Sequence, residues 1–252
     1  MEDINKVGIV ILAAGASKRF GKPKQLLEFR GKTLLRKTIE TALQTGCRRI
    51  CVVLGANYKM LKKHIADLPI EIAKNTKYKE GMMSSLRSGL KKLLRNVKVK
   101  KSKESGKNEE TKETEENRNL ETSREIKRNE EKTEKGGQPE KNETSRESKA
   151  IEAVVVMLCD QPFVETELIE KLIKVFWEKN PLIVACEYSG TYGVPVLFSH
   201  LLFDEILQFP LKEGAKLLIE KYKDFAQIIP APEASVDIDT PQDYQKLCKR
   251  IL

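Results

Sequence analysis

The sequence predicts an α/β domain, a three-layer sandwich built on a mainly parallel, Rossmann-like sheet. Short apolar, β-branched runs at 7–13 (VGIVILA), 50–54 (ICVVL) and 153–159 (AVVVMLC) read as strands buried on both faces. Stretches with apolar residues at helical spacing follow them. Repeated βα units of this kind imply crossover connections and a mainly parallel sheet, whose ligand lies at the carboxyl ends of the strands.

The elements follow in order. After the strand at 7–13, residues 32–44 carry Leu34, Leu35, Ile39, Ala42 and Leu43 on one helical face. The strand at 50–54 precedes a helix that runs to Ile65, with Asn57 placed to cap it. A short strand spans 70–73, and 81–94 is helical with Met82, Leu86, Leu90, Leu93 and Leu94 aligned. The strand at 153–159 leads to a helix over 165–178. Strands at 182–186 and 194–198, short helices at 201–208 and 213–221, and a strand at 226–229 complete the pattern. Pro241 opens a closing helix at its favoured first position.

Residues 98–149 stand apart. They hold 15 Lys/Arg against 14 Asp/Glu, with only Val99, Leu120 and Ile126 as sizeable apolar residues. Such a stretch cannot bury enough surface to offset its ordering entropy, so disorder is expected. We read residues 1–252 as one domain interrupted by this insertion, which leaves about 200 residues for the fold.

The chain has 252 residues and a net charge of +9, but that segment adds almost nothing to the charge. A duplex-binding surface is therefore disfavoured, and the basic cluster between Lys18 and Lys24 suits a small polyphosphate better. No run approaches the roughly 18 apolar residues of a membrane helix, and the N-terminal run lacks the layout of an export signal. Five cysteines, an odd number and three of them in strand-like runs, suit reduced thiols in a cytoplasmic protein. Neither nucleic acid nor membrane is expected as a partner.

The strongest local feature is the loop after the first strand, Leu12-Ala13-Ala14-Gly15-Ala16-Ser17-Lys18-Arg19-Phe20-Gly21-Lys22-Pro23-Lys24-Gln25. Small residues let backbone N–H groups approach phosphate oxygens, and the cations offset triphosphate charge. Five residues separate Gly15 from Gly21, and Pro23 follows Lys22, so the loop is not a Walker A motif; G-x-G-x-x-G is also absent. Leu12, Ala13, Ala14, Gly15, Ser17 and Lys24 are thus candidate substrate-binding residues.

Asp160 follows the third long strand directly, where a carboxylate would meet Mg²⁺ and phosphate oxygens. A turn role before Pro162 is the alternative, and a phosphate loop at the same sheet edge favours the metal. Asp237 and Asp239, at i and i+2, share one face of an extended segment and would complete that site, with Asp237 preferred. The competing reading makes Asp239 part of the helix start at Thr240-Pro241. Asn75 and the Gly81 to Ser85 turn offer donors to an anion or base edge, with N-capping by Ser84 or Ser85 as the alternative. His64, His200 and Trp177 read as surface or packing residues.

The loop LAAGASKRFGKPKQLL resembles the signature of the MobA-like nucleotidyltransferases, especially the molybdenum cofactor cytidylyltransferases. KNTKYKEGMMSSLRSGL, MLCDQPFV, YGVPVLF and VDIDTPQDY continue the resemblance in family order, over everything but the charged insertion. It implies a fold of the nucleotide-diphospho-sugar transferase type. It implies Mg²⁺ as cofactor, CTP as donor and molybdopterin as acceptor, with a molybdoenzyme or its chaperone as a candidate partner. It assigns the metal to Asp160, a nucleotide contact to Asn75 and the cleft lining to Ser84 and Ser85. Arg19, Lys24 and Asp160 are then the catalytic set. Val194 stands where many such relatives have histidine, and Lys212 and Lys216 where they carry an Asp and an Arg. The acceptor half is therefore where this chain departs from the pattern. Another phosphorylated acceptor, GTP as donor, or a non-catalytic nucleotide-binding carrier are the alternatives.

Overall fold

Strand β1 (Val7–Ala13) is buried along its whole length and forms the centre of the fold. The computed structural model describes residues 3–95, 150–211 and 214–249, so the charged stretch at 98–149 and Lys212 lie outside the described residues. β1 pairs in parallel with β4 (Arg49–Leu54) on one side and β6 (Ala153–Leu158) on the other. The first long loop, the β4 exit and Asp160 therefore leave the sheet at one edge. Between β1 and β4 a two-stranded hairpin, β2 (Glu28–Phe29) with β3 (Lys32–Thr33), turns through Arg30 and Gly31, both at positive φ. This hairpin takes the first two residues expected in a helix over 32–44. Helix α1 is Leu34–Gln44, and Thr33 caps it by accepting the Arg36 N–H.

The seven-stranded sheet has the order β5-β4-β1-β6-β8-β7-β9, with β5 Glu71–Lys74, β7 Ile183–Tyr188, β8 Thr191–Ser199 and β9 Ala226–Pro230. Only β8 runs antiparallel. It pairs with both β6 and β7 and follows β7 through a two-residue turn at Ser189 and Gly190, both at positive φ. Such turns match the strands' own twist.

One sheet face, with Ile9, Ile11 and Val155, is covered by α1, α2 (Tyr58–His64) and α4 (Thr166–Lys179), through Leu35, Ile39, Leu61, Ile169 and Phe176. Each such side chain contributes about 1.5–3 kcal/mol by leaving water. Helix α3 (Met82–Arg95) lies on the other face, so close that a Cβ at Gly89 would stand 2.5 Å from Val10. Two short helices, α5 (Phe203–Gln208) and α6 (Ala215–Lys221), follow β8, and α5 packs beside α3. The closing helix, α7 (Pro241–Lys249), belongs to a smaller cluster in which Leu247 and Ile238 meet Leu27, Phe29 and Leu34.

One cap differs from expectation. Asn57 sits at φ 58° in the left-handed region and makes no side-chain cap. Its carbonyl takes the first helical bond from Leu61, so asparagine serves here by tolerating that backbone shape. Trp177 packs edge-on against Phe176 beside the main core, and both histidines are exposed. Among the described residues no helix is long and apolar enough to cross a membrane. All five cysteines are free thiols, and burial pushes Cys51 and Cys186 up to about 12.

Candidate active site

The loop after β1 is shaped from within by Gln25, which is 1% exposed. Its Nε2 donates to the Ala13 and Gly15 carbonyls at 3.1 and 2.9 Å, and its Oε1 accepts from the Ser17 hydroxyl at 3.3 Å. Ser17, at φ 50°, accepts the Lys24 N–H on its Oγ. The Ala14 carbonyl accepts the Ala56 N–H, and the Gly55 beside it has no room for a Cβ, which would lie 2.7 Å from that oxygen. The loop's carbonyls are thus turned inward. Among the described residues, none of the backbone N–H groups of 15–19 donates to a backbone carbonyl. That leaves a row of donors of the kind that receives phosphate oxygens.

Lys24 crosses from this loop to the carboxylates. Its Nζ lies 2.5 Å from Asp160 Oδ2 and 2.9 Å from Asp239 Oδ1, and the Lys24 and Asp160 side chains are only 14% and 15% exposed. Arg19 reaches the other Asp239 oxygen at 2.6 Å from a largely solvent-facing position. Burial alone would lower the Lys24 ammonium, but Asp160 and then Asp239 outweigh it and raise it above its ordinary value. Burial likewise works to raise Asp239, yet Lys24 and Arg19 hold its carboxyl below the usual range. Asp237 is the opposite case. Burial first, then the charges of Asp239 and Asp160, push its carboxyl up.

The structure therefore brings Arg19, Lys24, Asp160, Asp237 and Asp239 together. It also separates the two roles open to Asp239. At the start of α7 Asp243 Oδ2 accepts from the Thr240 N–H and hydroxyl and from the Asp239 N–H, so only the Asp239 backbone takes part and its side chain keeps both oxygens for Lys24 and Arg19.

Asn75, Ser84 and Ser85 form a different cluster. All are at most 5% exposed, and Asn75 Nδ2 donates to both hydroxyls at 2.9 and 3.0 Å. Its Oδ1 accepts the Lys77 N–H, and Ser84 donates to the Lys77 and Gly81 carbonyls. The trio ties the exit of β5 to the first turn of α3.

Gln25 and Gln161 were not singled out by the sequence reading. The only signal for either is its place beside a charged site residue, Lys24 or Asp160.

Whether a divalent cation fits can be judged from the donors. Among the described residues no group of three or more His, Cys, Asp or Glu is gathered as a cage. Mg²⁺ does not need one, because it binds one or two carboxylates and takes its other ligands from water and phosphate. Among the described residues Asp160 Oδ1 is buried without a hydrogen-bond partner, and Asp237 forms no ion pair. A crowded carboxylate and an unpaired buried oxygen fit such an ion.

The chain is similar to several known proteins. A nicotine blue oxidoreductase of Paenarthrobacter nicotinovorans is 42% identical over 88 residues, 34% of this chain and 43% of its own. A Bacillus cytotoxicus protein named as a probable molybdenum cofactor guanylyltransferase is 31% identical over 91 residues, 36% of this chain and 45% of its own. The chain thus spans under half the length of these relatives. Among solved structures, Rv0371c of Mycobacterium tuberculosis H37Rv superposes with a TM-score of 0.66 at 23% identity, covering 98% of this chain and 100% of that one. The same mycobacterial protein has also been solved in complex with manganese. Molybdopterin-guanine dinucleotide biosynthesis protein A of Archaeoglobus fulgidus superposes with a TM-score of 0.58 at 14% identity, covering 96% and 99%. Residues 9–225 match the model of the MobA-like NTP transferase domain, and the protein belongs to that family.

Proposed function

We propose that this chain is a nucleotidyltransferase that moves CMP from CTP onto the phosphate of molybdopterin and releases pyrophosphate, with Mg²⁺ as cofactor. One observation carries the reading: the Lys24–Asp160 ion pair, which joins a phosphate-type loop to the carboxylates at the same sheet edge. The reading takes residues 1–252 as one catalytic domain with the 98–149 stretch inserted into it, working in the cytoplasm.

The reaction is an in-line displacement. An acceptor phosphate oxygen bonds to the α-phosphorus as the bond to the bridging oxygen breaks, and pyrophosphate takes that electron pair. A phosphate monoester is already ionised near neutrality, so no general base is needed. The barrier lies in bringing two polyanions together and holding them in line. The N–H row of the loop would hold the triphosphate, while Lys24 and Arg19 neutralise charge growing toward the pyrophosphate. Asp160 and Asp237 would hold Mg²⁺, which supplies charge neutralisation on the triphosphate when bound. Asp239 holds Lys24 and Arg19 in place.

The choice of CTP rests on the LAAG start and the CDQP motif. The Bacillus cytotoxicus relative's name supports GTP as the second reading. Pyrophosphate release from each NTP, with and without molybdenum-loaded molybdopterin, tests both. Release from CTP that requires the acceptor and falls at least about 10³-fold in Asp160→Ala supports the proposal. Release from GTP alone moves it to the second reading, and full activity in Asp160→Ala removes the metal assignment.

A further inference from the structure

Gln161 is 4% exposed, and its side chain joins three segments of the site. Its Nε2 donates to the Val194 carbonyl at 2.9 Å and to the Ala234 carbonyl at 2.8 Å. Two carbonyls facing one end of the amide fix that end as nitrogen, because an oxygen there would be repelled by both. Oε1 is consequently left buried with no hydrogen-bond partner among the described residues. An unpaired buried acceptor costs a fold stability, so stability alone does not explain a glutamine here.

The second grip comes from the preceding residue. The Asp160 carbonyl accepts the Ile238 N–H at 3.0 Å. Adjacent residues 160 and 161 therefore hold the 234–238 run at both ends, and Asp237 lies between the two grips. Ile238 is fully buried and Ala234 1% exposed, so neither end has freedom to adjust. On the other side, Val194 belongs to β8, and its carbonyl also accepts from the Tyr188 hydroxyl at 2.9 Å. β8 is thus anchored twice, whereas among the described side chains only Gln161 donates to the Ala234 carbonyl.

We propose that Gln161 is a positioning residue that sets where Asp237 stands relative to Asp160, and thereby tunes the site's affinity for a divalent cation without touching it. The inference rests on the reading of Asp160 and Asp237 as the cation's ligands. Mn²⁺ alone is the probe, titrated into the full chain while free Mn²⁺ is followed by electron paramagnetic resonance. Gln161→Leu and Gln161→Met both remove the donors, and the unbranched methionine keeps the test available should leucine fail to fold. The expected result is a folded protein by circular dichroism whose Kd for Mn²⁺ rises about tenfold, with the Kd for metal-free CTP within about twofold of the parent. Tyr188→Phe, which removes the second donor to Val194 and the hydroxyl beside the Gln161 amide but keeps both Gln161 donors, should leave Mn²⁺ binding unchanged. Parent-like Mn²⁺ affinity in the folded Gln161 variants overturns the positioning role, and so does an equal loss in Tyr188→Phe. Asp160→Asn separates the two levels of the argument: if it binds Mn²⁺ like the parent, the metal reading fails and the Gln161 role fails with it.

Discussion

Two polar clusters lie beyond the ends of parallel strands of one sheet, and they are built on opposite principles. In the Asn75–Ser84–Ser85 cluster both ends of the asparagine amide and both hydroxyls are hydrogen-bonded, and nothing carries charge. In the Lys24–Asp160–Asp239 cluster two cations and three carboxylates, counting Arg19 and Asp237, are crowded together, one carboxyl is pushed up, and among the described residues one carboxylate oxygen lacks a hydrogen-bond partner. A satisfied polar network rigidifies a fold, while a partly satisfied one stores a demand for a ligand. The first cluster fits a structural brace and the second a place for chemistry, although the family resemblance implies a nucleotide contact for Asn75 and a cleft-lining role for Ser84 and Ser85.

The largest effect is expected from Lys24→Met, which should cost roughly 10²–10³-fold in turnover. It also leaves two acidic side chains without their main partner, a loss of about 1–3 kcal/mol. Pyrophosphate release and a thermal melt measure the two losses, and a variant that keeps its activity would remove the contrast between the clusters. Asn75→Ala should do the reverse. It strips partners from the Lys77 N–H and two buried hydroxyls, costing about 1–3 kcal/mol, or roughly 2–10 °C in Tm, while the KM for NTP stays within about twofold. A large rise in KM with an unchanged Tm would make Asn75 a nucleotide contact instead.

The smallest effect concerns Asp237. Its carboxyl is raised in the fold, so it favours the folded state at low pH, and that advantage is lost as pH rises through the folded-state value. Above that value the crowded charge is a cost. Asp237→Asn should therefore melt slightly higher than the parent at pH 7, by about 0.5 kcal/mol after solvent screening. The gain should vanish as pH falls below the ordinary carboxyl range. An equal difference at pH 7 and pH 3.5 would show that the carboxylates do not crowd one another.

Much of this architecture was legible because burial leaves a direct trace in sequence. The runs at 7–13, 50–54 and 153–159 are apolar throughout, since both sheet faces are covered. The loop and Asp160 were legible because phosphate and metal chemistry needs small residues and charge at a strand's end. The β2–β3 hairpin and the reversal of β8 were not, although Arg30-Gly31 and Ser189-Gly190 carry the turn signal for both. Strand direction is set by which turn closes, and composition does not encode it. Gln25 and Gln161 escaped notice because a buried amide's role lies in the carbonyls it meets, which only the fold brings near.

The ion pairs from Lys24 and Arg19 to Asp239 bridge 215 and 220 positions of sequence. A growing chain emerges in order at about 5–20 residues per second. The basic loop therefore waits ten seconds or more, by that rate, for the acid that pairs with both Lys24 and Arg19. Until Asp160 and then Asp239 emerge, the half-built molecule displays these cations unpaired, a state open to any polyanion nearby. The charged cluster is thus complete only once the 237–239 run has been made, long after the loop whose cations it holds.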